Sequence, residues 1–151
     1  MLFRSIQDSI EMVGAGVVIR DHDGGVLGAA CHFFPRLIDA EGAELLVCCK
    51  GLHLAKELQV QRVILETDNT GVAAKLGKEE QDRSLHGPVV EEIKTLLRGF
   101  GDYSIRSVQR SANVAAHILE KEGFDNKLCN VWCGTAPMCI GNQVALDSCM
   151  N

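Results

Sequence analysis

The hydrophobic pattern of the chain changes its period near residue 40, and this change constrains the fold more than any other feature. Residues 14–21 and 26–34 are β-branched or apolar runs on either side of His22-Asp23-Gly24-Gly25, which predicts a hairpin with a tight turn. From about Ala40 to Gln59 the apolar residues follow the helical period, which predicts a long amphipathic helix. Val60 to Asp68 is mostly apolar, as expected for a strand covered on both faces. This order indicates an α/β fold with a mixed sheet.

The rest of the chain up to residue 122 alternates between predicted helices and strands. Asn69 to Leu76, Pro88 to Arg98 and Ala112 to Glu122 are predicted helices, while Tyr103 to Gln109 and Leu2 to Ile6 are predicted strands. Residues 123–151 show no clear periodicity. We therefore expect one domain over residues 1–122 and a C-terminal tail over residues 123–151.

Charge and hydropathy exclude several classes of protein. The 151 residues carry a net charge of −5, so the chain lacks the positive field that most nucleic-acid-binding proteins use. Any contact with phosphate must therefore be local or bridged by a metal ion. No apolar run reaches the length of a membrane span, and the N-terminus does not resemble a signal peptide. These features predict an intracellular protein, nuclear or cytoplasmic, that does not bind membranes.

The cysteine content predicts reduced thiols rather than a disulfide framework. There are seven cysteines, an odd number, and the adjacent Cys48 and Cys49 fall inside the predicted helix, where they cannot pair with each other. We expect both to be small core residues. The C-terminal set Cys129, Cys133, Cys139 and Cys149 lacks the paired spacing of zinc sites. The histidines at 22, 32, 53 and 86 show no partner spacing and are expected at the surface or in turns.

Two carboxylates are predicted to converge on one end of the sheet. On the helical wheel of residues 40–59, Glu44 lies on the arc that should pack against the sheet, where a carboxylate needs a cation, a metal or hydrogen bonds. Asp68 ends the apolar strand, where open α/β sheets place their ligand sites. If the two groups are adjacent, we expect at least one raised pKa. The alternative is structural, with Glu44 near a helix start and Asp68 as the N-cap of the next helix.

Four segments, in the same order, resemble the plant reverse-transcriptase-like branch of the ribonuclease H family. They are Gly14–Gly24, Ala43–Leu52, Val63–Asn69 and Val108–Leu119, and they carry Ala43-Glu44, Thr67-Asp68-Asn69 and Arg110-Ser-Ala-Asn113. The resemblance covers residues from about 2 to 122. The later segment Val131-Trp-Cys-Gly-Thr-Ala-Pro137 is also similar to the tail of these plant proteins.

The resemblance implies a ribonuclease H-like fold, a five-stranded mixed β-sheet flanked by α-helices. It also implies cleavage of the RNA strand of an RNA–DNA hybrid by acids that hold two Mg²⁺ or Mn²⁺ ions. Glu44 and Asp68 correspond to two of those acids, as catalytic residues and metal ligands. Arg110 and Asn113 correspond to a loop that contacts the hybrid, with loop structure and helix capping as their alternative roles. The expected partner is a hybrid or another nucleic acid, bound by a monomer.

Two positions depart from the pattern of the family. Its first acid should fall near Phe3, which cannot bind Mg²⁺; Asp8 is the nearest carboxylate and the candidate third ligand, although a turn role is expected for it. His117 stands at the position of the fourth acid. An imidazole can assist proton transfer but is a poor ligand for Mg²⁺, so we treat His117 as a candidate catalytic residue.

These departures leave two other functions open. The first is a non-catalytic module that keeps the same fold and binds nucleic acid or protein. The second is a cysteine-rich zinc or redox module, which metal content after purification would distinguish.

Overall fold

The computed structural model describes residues 8–13, 16–33, 39–112, 114–127, 129–134 and 136–149, with side chains described from residue 16 to residue 147. The strands are β1 (Asp8–Val13), β2 (Gly16–Asp21), β3 (Val26–Cys31), β4 (Arg62–Thr67), β5 (Asp102–Ser107) and β6 (Asn130–Cys133). The helices are α1 (Ala40–Glu57), α2 (Thr70–Gly77), α3 (Gly87–Arg98), α4 (Val114–Asn126) and α5 (Gly141–Cys149). Short 3₁₀ turns occupy Arg110–Ala112 and Met138–Ile140.

The strands form one mixed sheet in the order β5-β4-β1-β2-β3-β6. β4 lies parallel to both β1 and β5, whereas β1–β2, β2–β3 and β3–β6 are antiparallel pairs. The expected α/β class and mixed sheet are confirmed. β6 adds a sixth strand at the β3 edge, beyond the five that were expected.

Helices cover the sheet on both faces and form two apolar clusters. The larger cluster joins α1, α2 and α3 to the face that carries Val17 and Ile19 of β2 and Val63 and Leu65 of β4. The smaller cluster joins α4 to Val18, Ala29 and Cys31 on the opposite face. The alternation of these residues along β2 follows from the two-residue period of a strand. Within the part of the chain that the structure describes, none of the helices is both long and apolar enough to cross a membrane.

The start of the sheet differs from the sequence-based expectation. The predicted strand Leu2–Ile6 lies outside the described residues, and β1 instead begins at Asp8. The turn expected at Asp8 is therefore wrong, since Asp8 pairs with Asp21 in the antiparallel ladder. Polar and apolar residues alternate from Ser9 to Met12, as in a strand, and only two residues separate β1 from β2.

The C-terminal tail has structure that its sequence pattern did not predict. β6 pairs with β3, and Ile140 is fully buried in the smaller cluster against α4. Arg20, buried in β2, donates from its guanidinium Nη2 to Asp147 of α5 at 2.7 Å. The periodicity is weak because β6 is a short, mostly exposed edge strand. The side chains of Cys48, Cys49, Cys129, Cys133 and Cys139 are free thiols, and the reduced state of all seven cysteines stays a prediction.

Candidate active site

A polar cavity lies where the C-terminal end of β4, the start of α1 and one face of α4 meet. It has a volume of about 400 Å³, and its lining includes the carboxylates of Glu44, Asp68 and Glu120 and the guanidinium of Arg110. Three different elements and the turn before α4 thus contribute ionisable groups to one opening. The cavity is at the carboxyl end of a parallel strand, where sheets of this class place their ligands.

Neither Glu44 nor Asp68 caps a helix, so the capping role is wrong for both, although Glu44 does lie near the start of α1 as its structural alternative has it. Asp39 is the N-cap of α1, where its carboxylate accepts a hydrogen bond from the Gly42 backbone N–H. Asn69 is the N-cap of α2 and accepts from Val72 N–H at 3.1 Å. Because Asp39 and Asn69 perform the capping, helix capping does not explain why the two acids lie at the cavity.

Glu44 is buried, with only 4% of its surface exposed, and its carboxylate is held by hydrogen bonds. The hydroxyl of Thr67, at the end of β4, donates to Glu44 Oε1, and the Asn69 side chain donates to it as well. Burial raises the pKa of Glu44 above its usual 4.5, Thr67 and Asn69 oppose that rise, and the charge of Asp68 adds to it. The expected raised pKa is confirmed, although burial contributes more than repulsion between the two carboxylates.

Asp68 faces α4 and contacts His117. The His117 Nε2 lies 3.2 Å from Asp68 Oδ2, and its Nδ1 lies 3.4 Å from Glu120 Oε2. His117 and Asp68 are both largely buried, while Glu120 is more exposed. The imidazole therefore bridges two carboxylates and can exchange a proton with either of them. A helix presents residues three apart on the same face, which is why His117 and Glu120 point to the same cavity.

Of the residues that the sequence singled out, the structure brings four to this region. Glu44, Asp68 and Arg110 line the cavity, and His117 contacts Asp68 behind it. Arg110 is exposed in the 3₁₀ turn before α4. Asn113 and Phe3 lie outside the described residues. Glu120 was missed by the sequence reasoning, and its spacing of three residues from His117 was the signal that could have found it.

The backbone register excludes Asp8 from the end of the sheet where Asp68 lies. Ser9 is level with Ile64 in the parallel pair, so Asp8 precedes the level of Asp68 by five residues, or about 16 Å along the strand. Glu11 is level with Glu66, two residues before Asp68. Continued to the end of β1, this register places Met12 and Val13 level with Thr67 and Asp68. β1 thus brings no carboxylate to the level of Asp68.

The donor set of the cavity suits a hard divalent cation. Glu44, Asp68 and Glu120 offer carboxylate oxygens, which Mg²⁺ and Mn²⁺ prefer. Among the described residues, the ligand atoms of these three carboxylates do not all lie within 4.8 Å of one another, so binding one ion through all three requires side-chain movement.

Comparisons with known proteins agree with this geometry. A family described as Reverse transcriptase-like matches residues 5–123, which is most of the chain. The chain belongs to this family. Membership confirms the resemblance to reverse-transcriptase-like proteins, while the plant branch stays a prediction. Among curated protein sequences, none matches the chain.

Two solved structures similar to this reverse-transcriptase-like chain are ribonuclease H proteins. RNase H1 from the halophilic archaeon Halobacterium salinarum NRC-1 has 24% identity and a TM-score of 0.65, over 79% of this chain and 86% of that one. The N-terminal RNase H domain of a Mycobacterium tuberculosis protein, solved as a fusion with maltose-binding protein, has 18% identity and a TM-score of 0.68, over 80% and 91%. At these identities the similarity shows a shared fold, which confirms the ribonuclease H-like fold.

Proposed function

We propose that this reverse-transcriptase-like chain binds RNA–DNA hybrids and hydrolyses the RNA strand slowly with Mg²⁺ or Mn²⁺. The observation that carries the proposal is that Glu44, Asp68, Glu120 and Arg110 line one cavity at the end of β4. Carboxylates beside a guanidinium suit a phosphodiester that is approached through a metal ion, because the chain as a whole is acidic.

Glu44, Asp68 and Glu120 are the proposed ligands of the divalent ion, which would activate water and stabilise the leaving oxygen. Thr67 and Asn69 orient the Glu44 carboxylate through their hydrogen bonds, so its oxygens are in place before the ion arrives. Arg110 is exposed at the opening of the cavity and contacts a phosphate of the hybrid. Asn113 is proposed to contact the same strand.

His117 is proposed as a proton carrier and not as a ligand. Its two ring nitrogens face Asp68 and Glu120, so one nitrogen accepts a proton while the other stays hydrogen-bonded to a carboxylate. The imidazolium, which carries a proton on both nitrogens, is the form that can donate a proton to the leaving group.

The same chain also supports a second candidate function, a non-catalytic binding module. The observation in its favour is the register of β1, which pairs Glu11 with Glu66 and, if continued, places Met12 and Val13 level with Thr67 and Asp68. A site with fewer acidic ligands binds metal more weakly, and this is why we propose slow hydrolysis. In either case, we propose a monomer in the nucleus or cytoplasm, with residues 1–122 as the nucleic-acid-binding domain and residues 123–151 as its tail.

The test is a cleavage assay with an RNA–DNA hybrid labelled on the RNA strand, in Mg²⁺ and in Mn²⁺. The parent chain should release short RNA products, and Asp68→Asn and Glu44→Gln should each lower the rate roughly 100-fold or more, since each removes a ligand charge. Asp102→Asn is the matched control, because Asp102 begins β5 at the opposite end of the sheet. Its rate should equal that of the parent.

Binding of the uncleaved hybrid separates the two candidate functions. Arg110→Ala should weaken hybrid binding, measured by fluorescence anisotropy, while Arg83→Ala on the polar loop before α3 should not. Met12→Asp and Val13→Asp, made separately, cover both faces of β1 at the level of Asp68, and one of them should raise the cleavage rate. Tight binding with no cleavage by the parent or by either variant would contradict hydrolysis and support the binding module.

A further inference from the structure

A second group of ionisable side chains lies away from the acidic cavity, between α1 and α3. Cys49 and His53 are four residues apart on α1, so they are neighbours on one face of the helix. Glu92 of α3 faces them across the contact between the two helices. None of the three residues lines the cavity of Glu44 and Asp68. An inference about them therefore does not depend on the proposed function.

The three side chains are close enough to bind one ion. The Cys49 sulfur, a ring nitrogen of His53 and a carboxylate oxygen of Glu92 all lie within 4.8 Å of one another. His53 Nε2 and Glu92 Oε1 are 3.6 Å apart, which is long for a hydrogen bond. A nitrogen and an oxygen ligand of a tetrahedral zinc ion are separated by about 3.3–3.5 Å, given zinc–ligand bonds of about 2.0–2.2 Å. The observed 3.6 Å is slightly longer, and a small rotation of either exposed side chain closes the difference.

The three side chains form a shallow site that is open to solvent. Cys49 is 8% exposed and lies at the floor, in the apolar cluster between the helices. The side chains of His53 and Glu92 are 54% and 57% exposed and form the rim. An ion held by all three would have apolar side chains below it and solvent above. Such a site leaves a fourth position for water.

The donor atoms select a zinc-like ion over the ions proposed for the acidic cavity. Thiolate and imidazole are favourable ligands for Zn²⁺, whereas Mg²⁺ prefers oxygen and an octahedral shell. A thiolate and a carboxylate also supply two negative charges, which balance the charge of the ion. Lys50 is a cation beside Cys49, and its Nζ lies 3.1 Å from Nδ1 of His32.

We propose that Cys49, His53 and Glu92 form a zinc site that joins α1 to α3, with water as the fourth ligand. The competing account is that Glu92 only accepts hydrogen bonds from the thiol and the imidazole. The two accounts make different predictions about zinc. Only the zinc-site account predicts that each chain binds one ion and that all three residues contribute to its binding.

The test is a titration of the full chain, freed of metal by a chelator, with Co²⁺ as a spectroscopic substitute for zinc. One equivalent should give the intense visible bands of tetrahedral cobalt and a thiolate-to-cobalt charge-transfer band, and one equivalent of Zn²⁺ should abolish both. Cys49→Ser should remove the charge-transfer band. His53→Gln and Glu92→Gln alter exposed groups, so they should leave the fold intact and weaken Co²⁺ binding roughly tenfold or more.

Controls separate this site from the other thiols and histidines of the chain. Cys133→Ser and His22→Gln change exposed residues elsewhere and should bind Co²⁺ as the parent does. Zn²⁺ should also raise the melting temperature of the parent and of both controls but not of His53→Gln. A charge-transfer band that survives in Cys49→Ser, equal affinity in His53→Gln and Glu92→Gln, or no stoichiometric binding by the parent would overturn the proposal.

Discussion

Glu44 is the residue whose environment most limits what the candidate active site can do. Its carboxylate is buried beside Asp68, and burial raises its pKa above the usual 4.5. The folded chain therefore holds this proton more tightly than the unfolded chain does. Its contribution to stability is greatest at low pH and is lost as the pH rises through the raised pKa.

Replacing Glu44 with glutamine should consequently stabilise the metal-free protein at neutral pH. The glutamine side chain keeps an oxygen that accepts the Thr67 hydroxyl but carries no charge to desolvate. The free energy of unfolding of Glu44→Gln should exceed that of the parent at pH 7, and the difference should vanish below about pH 4. Urea unfolding with a chelator present measures this.

Glu41→Gln is the control on the same helix. Glu41 pairs with Lys75 and is partly exposed, so its loss should lower stability slightly, by about 0–1 kcal/mol, at pH 7. A Glu44→Gln chain less stable than the parent at pH 7 without metal would show that the Thr67 and Asn69 hydrogen bonds outweigh the cost of burial.

At the scale of elements, the site depends on how closely α4 approaches β2. Gly16 opens β2 beneath α4, where an added Cβ would overlap the carbonyl oxygen of Ala116 and lie 2.9 Å from the backbone nitrogen of Glu120. Both are backbone atoms, which cannot rotate away. Any side chain at position 16 must therefore displace the helix that carries His117 and Glu120.

Gly16→Ala should destabilise the protein by about 1–3 kcal/mol and lower hybrid cleavage further than stability alone explains, because α4 shifts. Gly77→Ala at the end of α2 is the matched control, since an added Cβ there meets nothing within 4 Å. The control should be neutral or slightly more stable. Thermal melting and the cleavage assay together check both effects. An unchanged melting temperature for Gly16→Ala would contradict the close packing described here.

The hydrophobic period of the sequence was sufficient to predict the helix and the strand that carry Glu44 and Asp68. The long helix over residues 40–59 and the strand over 60–68 are α1 and β4 within a few residues, because their periods are strong. That strength placed Glu44 and Asp68 correctly. β1 was missed because a short alternating segment resembles many loops, and its partner β4 is distant in sequence.

The remaining site residues depend on contacts that no local pattern reports. Glu120 becomes a cavity residue only because α4 packs on β1, β2 and β3 and so lies beside Asp68, which follows β4. The group of Cys49, His53 and Glu92 needs α3 to pack against α1. The expectation that His53 shows no partner spacing is wrong, because Cys49 lies four residues before it and Glu92 lies about 40 positions after it.

For the whole molecule, the tail is part of the packed structure and helps to hold the sheet. Asp147 of α5 accepts a hydrogen bond from the buried Arg20 at 2.7 Å and another from Gln143 at 2.7 Å. Asp147→Asn removes the charge that faces a buried guanidinium, which should destabilise the chain by about 1–3 kcal/mol. Asp125→Asn, exposed on α4, should have little effect. Equal melting temperatures for the two variants would contradict a structural role for the Arg20–Asp147 pair.

The carboxylates at the end of β4 are proposed to bind a divalent metal ion. A Mn²⁺ titration followed by electron paramagnetic resonance tests this binding most directly. The titration is performed on a His53→Gln background, so that the proposed zinc site does not contribute. The free Mn²⁺ signal should fall as the chain binds the ion, and Asp68→Asn and Glu44→Gln should each weaken binding roughly tenfold or more. Asp102→Asn should bind as its parent does. Failure of the parent to bind Mn²⁺, or equal binding by all four chains, would contradict the account.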